Sequence, residues 1–193
     1  MWRALDPKPM VLGPVPPPMS ERGREVDREF TNVGPGPDEV ALSDLADGVA
    51  FLVVFLQRDH YCANCRQQVQ AVKARYEEFR ERDAEVVSVV PEPEHRVAAW
   101  QDRFTLPFPL LSDPEASVGG AFDQPVRFGF LGAWSDFLGR MPEVVLLDAR
   151  EGTLQPAWSH TGGSAADRPP VEDVIAALDE HREGAPAEGG EGG

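Results

Sequence analysis

The chain is nearly without lysine. Lys8 and Lys73 stand against sixteen arginines, and 33 acidic side chains leave a formal net charge of −15. So little positive charge excludes binding to a nucleic-acid backbone, which requires a basic face to displace counterions. It suits a protein kept soluble in high salt, where repulsion among carboxylates is screened. The composition therefore predicts a halophilic source, although a GC-rich genome would also trade lysine for arginine. No apolar run approaches the ~20 residues of a membrane span. The opening MWRALDPKPMVLGPVPPPMS is broken by prolines and has no long apolar core, so it does not read as a secretory signal, and the expected location is cytoplasmic. No GxGxxG or GxxxxGK[ST] segment occurs, so no nucleotide cofactor is expected.

Cysteine is scarce as well, with two in 193 residues, but those two are Cys62 and Cys65. A pair three apart in a cytoplasmic chain is more often catalytic or metal-binding than a structural staple. Around it the sequence AFLVVFLQRDHYCANCRQQVQAVKARYEEFRERD reads as a buried strand, a turn, the dithiol and a long amphipathic helix. Ala50 to Leu56 is apolar throughout, which predicts a central strand covered on both faces. Val69, Val72, Tyr76 and Phe79 then recur at helical spacing. A helix N-terminus offers unpaired N–H groups and a partial positive charge that favour a thiolate at Cys62. A second sulfur one turn deeper, Cys65, is placed to close a disulfide. Two other readings stay open: His60, Cys62 and Cys65 as three ligands of a metal, which lacks a visible fourth, and two reduced cysteines packed in a core helix, to which Asn64 and Arg66 are ill suited.

Residues 1–28 include PVPPP and show no helical or strand period, so they predict a disordered tail, and Met19 is a plausible second start. Residues 29–183 are expected to form one domain and 184–193 an acidic, glycine-rich tail. Ser43 is expected to cap a short turn through Leu45. Glu85 to Val90 predicts a second strand, followed by a helix through Val97, Trp100 and Phe104. Phe108 to Leu111 predicts an extended piece, after which Asp113 caps a helical turn beginning at Pro114. Glu143 to Asp148 and Leu154 to His160 predict a hairpin, and Pro169-Pro170 opens a last helix carrying Val171, Val174, Ile175 and Leu178. The segment 122–140, with Phe128, Phe130, Trp134 and Phe137, suits a loop that closes over its own core, the default reading, over a groove beside the dithiol, or over a partner subunit as a homodimer contact. His95, His160 and His181 read as surface residues, His160 being the strongest candidate for an exception.

This order of elements, with CxxC opening the first long helix, resembles the thioredoxin fold over about residues 30–182: an α/β domain with a mixed central sheet flanked by helices. It is most similar to the redoxin and peroxiredoxin-like (alkyl hydroperoxide reductase/thiol-specific antioxidant) branch, on the phrases VALSDLADGVAFLVVFL, LPFPLLSDPEASVGGAFD and VVLLDAREGTL. The resemblance implies a thiol-disulfide oxidoreductase with Cys62 as nucleophile and Cys65 as resolving thiol, supplied by an external dithiol such as a thioredoxin-type system. A thiol peroxidase with Cys62 peroxidatic is the alternative, and a non-enzymatic redox switch a third. It also implies that Met141-Pro142 is a cis-proline site facing the dithiol, with Met141 free to pair with an extended substrate. Tyr61, Asp59, His60, Arg66 and Arg140 are the expected site-shaping side chains.

The usual peroxide-binding set is not reproduced. The proline and threonine positions hold Phe55 and Asp59 counted from Cys62, or Arg58 and Cys62 counted from Cys65. The usual arginine position falls on Pro142, with Arg140 two residues away. The strand before the dithiol also lacks the buried acid of thioredoxins, leaving Asp59, His60 or water for proton transfer.

The charge pattern carries its own test. Melting temperature should rise steeply between dilute buffer and molar salt, because screening removes carboxylate repulsion. A melting temperature indifferent to salt would remove the halophilic reading.

Overall fold

The computed structural model describes residues 28–124 and 140–184. The apolar run expected at its centre is strand β3 (Phe51–Leu56), buried at every position. A strand without alternation has no solvent face, so it must lie inside a sheet covered on both sides. β3 pairs in parallel with β4 (Ala84–Val90) and antiparallel with β6 (Glu143–Asp148). β5 (Leu110–Ser112) extends the sheet beyond β4, and β7 (Gln155–Thr161) beyond β6. β1 (Phe30–Asn32) and β2 (Glu39–Val40) complete a mixed seven-stranded sheet in the order β2-β1-β5-β4-β3-β6-β7.

Alternation along β3 builds two cores. Phe51, Val53 and Phe55 face Cys65, Val69 and Val72 of α2 (Ala63–Ala74), together with Val97 and Trp100 of α4 (Glu94–Phe104) and Val174, Ile175 and Leu178 of α6 (Val171–Glu183). Leu52, Val54 and Leu56 face Leu42 of α1 (Leu42–Leu45) and Val118 of α5 (Ser117–Ala121). The expected α/β architecture with helices on both faces is what forms. Among the described residues no helix is long and apolar enough to cross a membrane.

Several local expectations shift. The helix expected to run on to Phe79 breaks at Arg75, and α3 (Tyr76–Arg80) starts afresh. With the break, Phe79 is fully buried while the Tyr76 hydroxyl donates to Glu85 of β4 at 2.6 Å. α5 starts at Ser117 rather than at Pro114. Asp113 still serves it, accepting from the Val118 N–H at 2.9 Å and the Ser117 hydroxyl at 2.9 Å. The short turn after Val40 forms, but Asp44 and not Ser43 caps it, accepting from the Ala41 N–H at 3.0 Å. Arg28, assigned to the tail, binds Asp113 at 3.0 Å and Glu115 at 2.7 Å and lies over the Phe30 ring. The remainder of both expected tails, apart from Gly184, and residues 125–139 of the aromatic segment lie outside the described residues.

The β1–β2 connection is held by one side chain. Buried Asn32 donates through Nδ2 to the carbonyls of Pro35 at 3.0 Å and Pro37 at 2.9 Å. Its Oδ1 accepts from the N–H groups of Gly34 at 2.9 Å and Leu110 at 3.0 Å. Gly34 passes so close to β5 that a Cβ there would stand 2.6 Å from the Phe108 carbonyl. Asn32→Ala strands buried donors and acceptors, each at about 1–3 kcal/mol, and should lower unfolding free energy by about 2 kcal/mol or more in denaturant titration. Wild-type stability in that variant would show that water replaces the amide.

Candidate active site

β3 stops at Leu56, and the chain turns through Gln57 to Tyr61 into α2. Cys62 is the N-cap of that helix, with extended backbone (φ −61°, ψ 109°), and its Sγ accepts the Cys65 N–H at 3.2 Å. A sulfur therefore occupies the place where a serine or aspartate oxygen usually satisfies a free helix N–H. Cys65 lies one turn deeper and is fully buried, whereas Cys62 keeps a small exposed fraction. Both are free thiols.

A residue not anticipated from the sequence completes the pair. The Arg168 guanidinium, from the loop between β7 and α6, donates through Nη2 to Cys65 Sγ at 2.9 Å and Cys62 Sγ at 3.3 Å. The two sulfurs nonetheless diverge, although the Arg168 charge favours the thiolate of both. The bond from Cys65 lowers the Cys62 thiol to about 6, against burial, and the Cys65 N–H and the Arg168 charge add to the lowering while Asp59 opposes it. Burial, followed by the bond to Cys62, pushes the Cys65 thiol strongly up. One thiolate at neutral pH beside one protonated thiol is the arrangement a nucleophile and its resolving partner require.

The loop that delivers Arg168 is tied at several points. Gly162 N–H donates to the Pro142 carbonyl at 2.9 Å, and a Cβ at Gly162 would meet the Asp167 carbonyl at 2.4 Å and Pro142 Cγ at 2.8 Å. Gly163 N–H donates to Asp167 at 2.7 Å, Asn64 reaches the Ala165 carbonyl at 3.5 Å, and Arg168 Nη1 donates to that same carbonyl. His160, in β7, has Nε2 3.5 Å from Asp167 Oδ1 of this loop. In the sequence TGGSAADR is only a glycine-rich stretch before the last helix. Nothing in its spacing to the dithiol identified Arg168, which lies 106 residues from Cys62.

The other expected residues fall into two groups. His60, Tyr61, Asp59 and Arg66 surround the dithiol turn. The Asp59 carbonyl accepts from the Cys62 N–H at 3.4 Å. The His60 carbonyl accepts from Arg66 at 3.0 Å and Trp100 at 3.1 Å, and His60 Nδ1 meets buried Glu92 at 2.9 Å. Burial would raise the Glu92 carboxyl, but the bonds from His60 and Arg96 hold it below its ordinary value. With His60 turned to Glu92, no group of three His, Cys, Asp or Glu side chains is disposed around a metal position among the described residues. Tyr61 is 64% exposed next to Cys62, its ring against His60.

Met141 and Pro142 depart from the cis-proline expectation. The Met141–Pro142 peptide is trans, which corrects the cis assignment. The Met141 carbonyl accepts from Gln124 Nε2 at 2.7 Å, so it is not open to an extended substrate. Pro142 instead continues the β6–β7 pairing through Gly162 and shapes the site by supporting the Arg168 loop. The Arg140 guanidinium donates to Gln124 at 3.2 Å, while its carbonyl accepts from Arg58 at 2.7 Å. The buried acid missing from β3 has a counterpart in β6, where burial raises Glu143 to about 7. It pairs with Leu56 on the sheet face away from the cysteines.

Comparison with known proteins agrees with this frame. Peroxiredoxin Bcp of Bacillus subtilis (strain 168) is 26% identical over 124 residues, 63% of this chain and 74% of that protein. Xanthomonas campestris peroxiredoxin Q superposes with a TM-score of 0.66 at 18% identity, covering 89% of this chain and 98% of that one. Peroxidoxin BcpB from Mycobacterium tuberculosis gives 0.63 at 19% identity, covering 79% and 91%. Residues 27–151 match the AhpC/TSA family, and the chain belongs to that family.

Proposed function

We propose that this thiol-dependent oxidoreductase is a peroxidase that uses Cys62 as its nucleophile and Cys65 as its resolving thiol. The observation that carries this reading is the asymmetry of the pair: a Cys62 thiol lowered to about 6 at a helix start, beside a protonated Cys65 one turn deeper. The Cys62 thiolate attacks one oxygen of a hydroperoxide, the O–O bond breaks, and the alkoxide takes a proton to leave as an alcohol. Cys62 is then a sulfenic acid. Cys65 gives up its proton and attacks the Cys62 sulfur, the S–O bond breaks, and hydroxide leaves with that proton as water. Two electrons from an external dithiol, of thioredoxin type, return the disulfide to the dithiol. A cytoplasmic setting, with its reducing thiol pool, fits this cycle.

Disulfide reduction is the second reading, and the CxxC spacing favours it. The same two sulfurs would attack a substrate disulfide and resolve the mixed disulfide. Peroxide consumption and insulin reduction, measured side by side in high salt, separate the two readings. Fast peroxide turnover with slow insulin reduction supports the peroxidase, and the reverse replaces it.

Cys62→Ser and Cys65→Ser should differ in kind. The first should abolish thiol chemistry. The second should accumulate a Cys62 sulfenic acid, an overoxidised Cys62 or a mixed disulfide, because attack survives and resolution does not. Mass spectrometry after exposure to peroxide or to a disulfide reads the outcome. Adducts on Cys65 in the Cys62→Ser variant, with none in the other, would reverse the roles.

A further inference from the structure

We propose that Arg168 is a catalytic residue of the dithiol site: its guanidinium holds the Cys62 thiolate at rest and stabilises the Cys65 thiolate once Cys62 has been consumed. The second half of this assignment rests on the two-step chemistry given above, while the first half stands on the resting geometry alone.

The geometry is unusual in that one nitrogen serves both sulfurs. Nη2 lies 3.3 Å from Cys62 Sγ and 2.9 Å from Cys65 Sγ, so the cation is nearer the thiol that is protonated at rest. Cys62 has the Cys65 N–H as a second donor, together with the positive end of a twelve-residue helix. Cys65 is more deeply buried, and Arg168 is the side-chain cation that opposes the burial penalty on its charged form. While Cys62 is a thiolate, the guanidinium charge is shared. When Cys62 becomes a sulfenic acid or a mixed disulfide it is neutral, and the whole charge falls to Cys65. Consumption of the first sulfur thus lowers the cost of ionising the second at the moment it must attack.

Among the described residues, the turn before α2 brings Asp59, His60 and Tyr61 to the pair, with His60 engaged by Glu92, and α2 brings Arg66 to the His60 carbonyl. Asp59 opposes the Cys62 thiolate from the β3–α2 turn, and Arg168 supports it from the β7–α6 loop. Behind Arg168 stand Asp167 and His160, which shape the loop, with Asp167 accepting from the Gly163 N–H. Arg168 Nε is buried without a hydrogen-bond partner. A surface arginine on a mobile side chain would not leave a donor in that state, because an unmet buried N–H costs about 1–3 kcal/mol. The closely approached Gly162 and the Ala165 carbonyl hold the residue in place despite that cost.

The test uses the full chain with Arg168→Met and Arg168→Lys. Iodoacetamide alkylation of Cys62 is followed against pH, with the modified peptide identified by mass spectrometry. Removing an opposite charge within about 4–6 Å moves a thiol by roughly one to three pH units. The Arg168→Met midpoint should therefore rise by about one unit or more, and Arg168→Lys should restore most of it, because charge sets the midpoint. Dimedone trapping after one equivalent of hydrogen peroxide then reads resolution. Arg168→Met should hold the Cys62 sulfenic acid about ten-fold longer than wild type before the disulfide closes, since each pH unit removes ten-fold of the attacking thiolate.

A folded Arg168→Met protein with the wild-type alkylation profile overturns the first role. A normal sulfenic acid lifetime overturns the second. If methionine is not tolerated, Arg168→Gln removes the charge with a polar side chain and is read in the same way. Alkylation needs no turnover, so a wild-type protein that consumes no peroxide would sink the peroxidase reading and still report on Arg168 at Cys62.

Discussion

The site depends on one guanidinium shared between two sulfurs. A CxxC at a helix start already favours ionisation of its first cysteine, because the helix leaves N–H groups unpaired there. Here Arg168 adds a full positive charge within hydrogen-bond distance of both thiols. Two thiolates so close together would repel, so ionisation of one opposes ionisation of the other. The bond from Cys65 holds the Cys62 thiol low, while burial pushes the Cys65 thiol up.

Delivering that cation explains much of the surrounding structure. β7 ends at Thr161, and Gly162 closes directly on Pro142, leaving no room for a side chain. The loop then turns back through Gly163 and Asp167 and is touched by Asn64 from α2 itself. Pro142 thus matters to the dithiol through the loop it supports. A proline directly in front of β6 can serve as a wall for the β7–α6 loop without opening a substrate edge.

The same arrangement bears on how a member of the AhpC/TSA family works without the peroxide-binding side chains at their usual places. Phe55 and Asp59, or Arg58 and Cys62, fill the positions where a proline and a threonine would be expected, and Arg140 is turned to Gln124. A guanidinium still stands at the sulfurs, but it arrives from a different loop. Function in such a site follows from which charges reach the reacting atoms rather than from the order of residues along the chain.

The sequence by itself determined the sheet centre and the reactive pair. Seven apolar residues in a row admit little but a strand covered on both faces, and two cysteines three apart at a helix start carry their chemistry in their spacing. The helix around Trp100, the β6–β7 hairpin and the last helix were legible for the same reason: each has a strong local period or a marked boundary. The break at Arg75 and the start of α5 were not, because no proline or glycine marks the first and packing overrides Pro114 at the second. β1 and β2 are three and two residues long; β1 owes its existence to pairing with β5, some 80 residues away, and β2 to pairing with β1. The trans geometry at Pro142 and the arrival of Arg168 are tertiary decisions of the same kind. A guanidinium 106 residues from Cys62 leaves no trace in local pattern, because only the closing of β7 against β6 fixes where its loop must end.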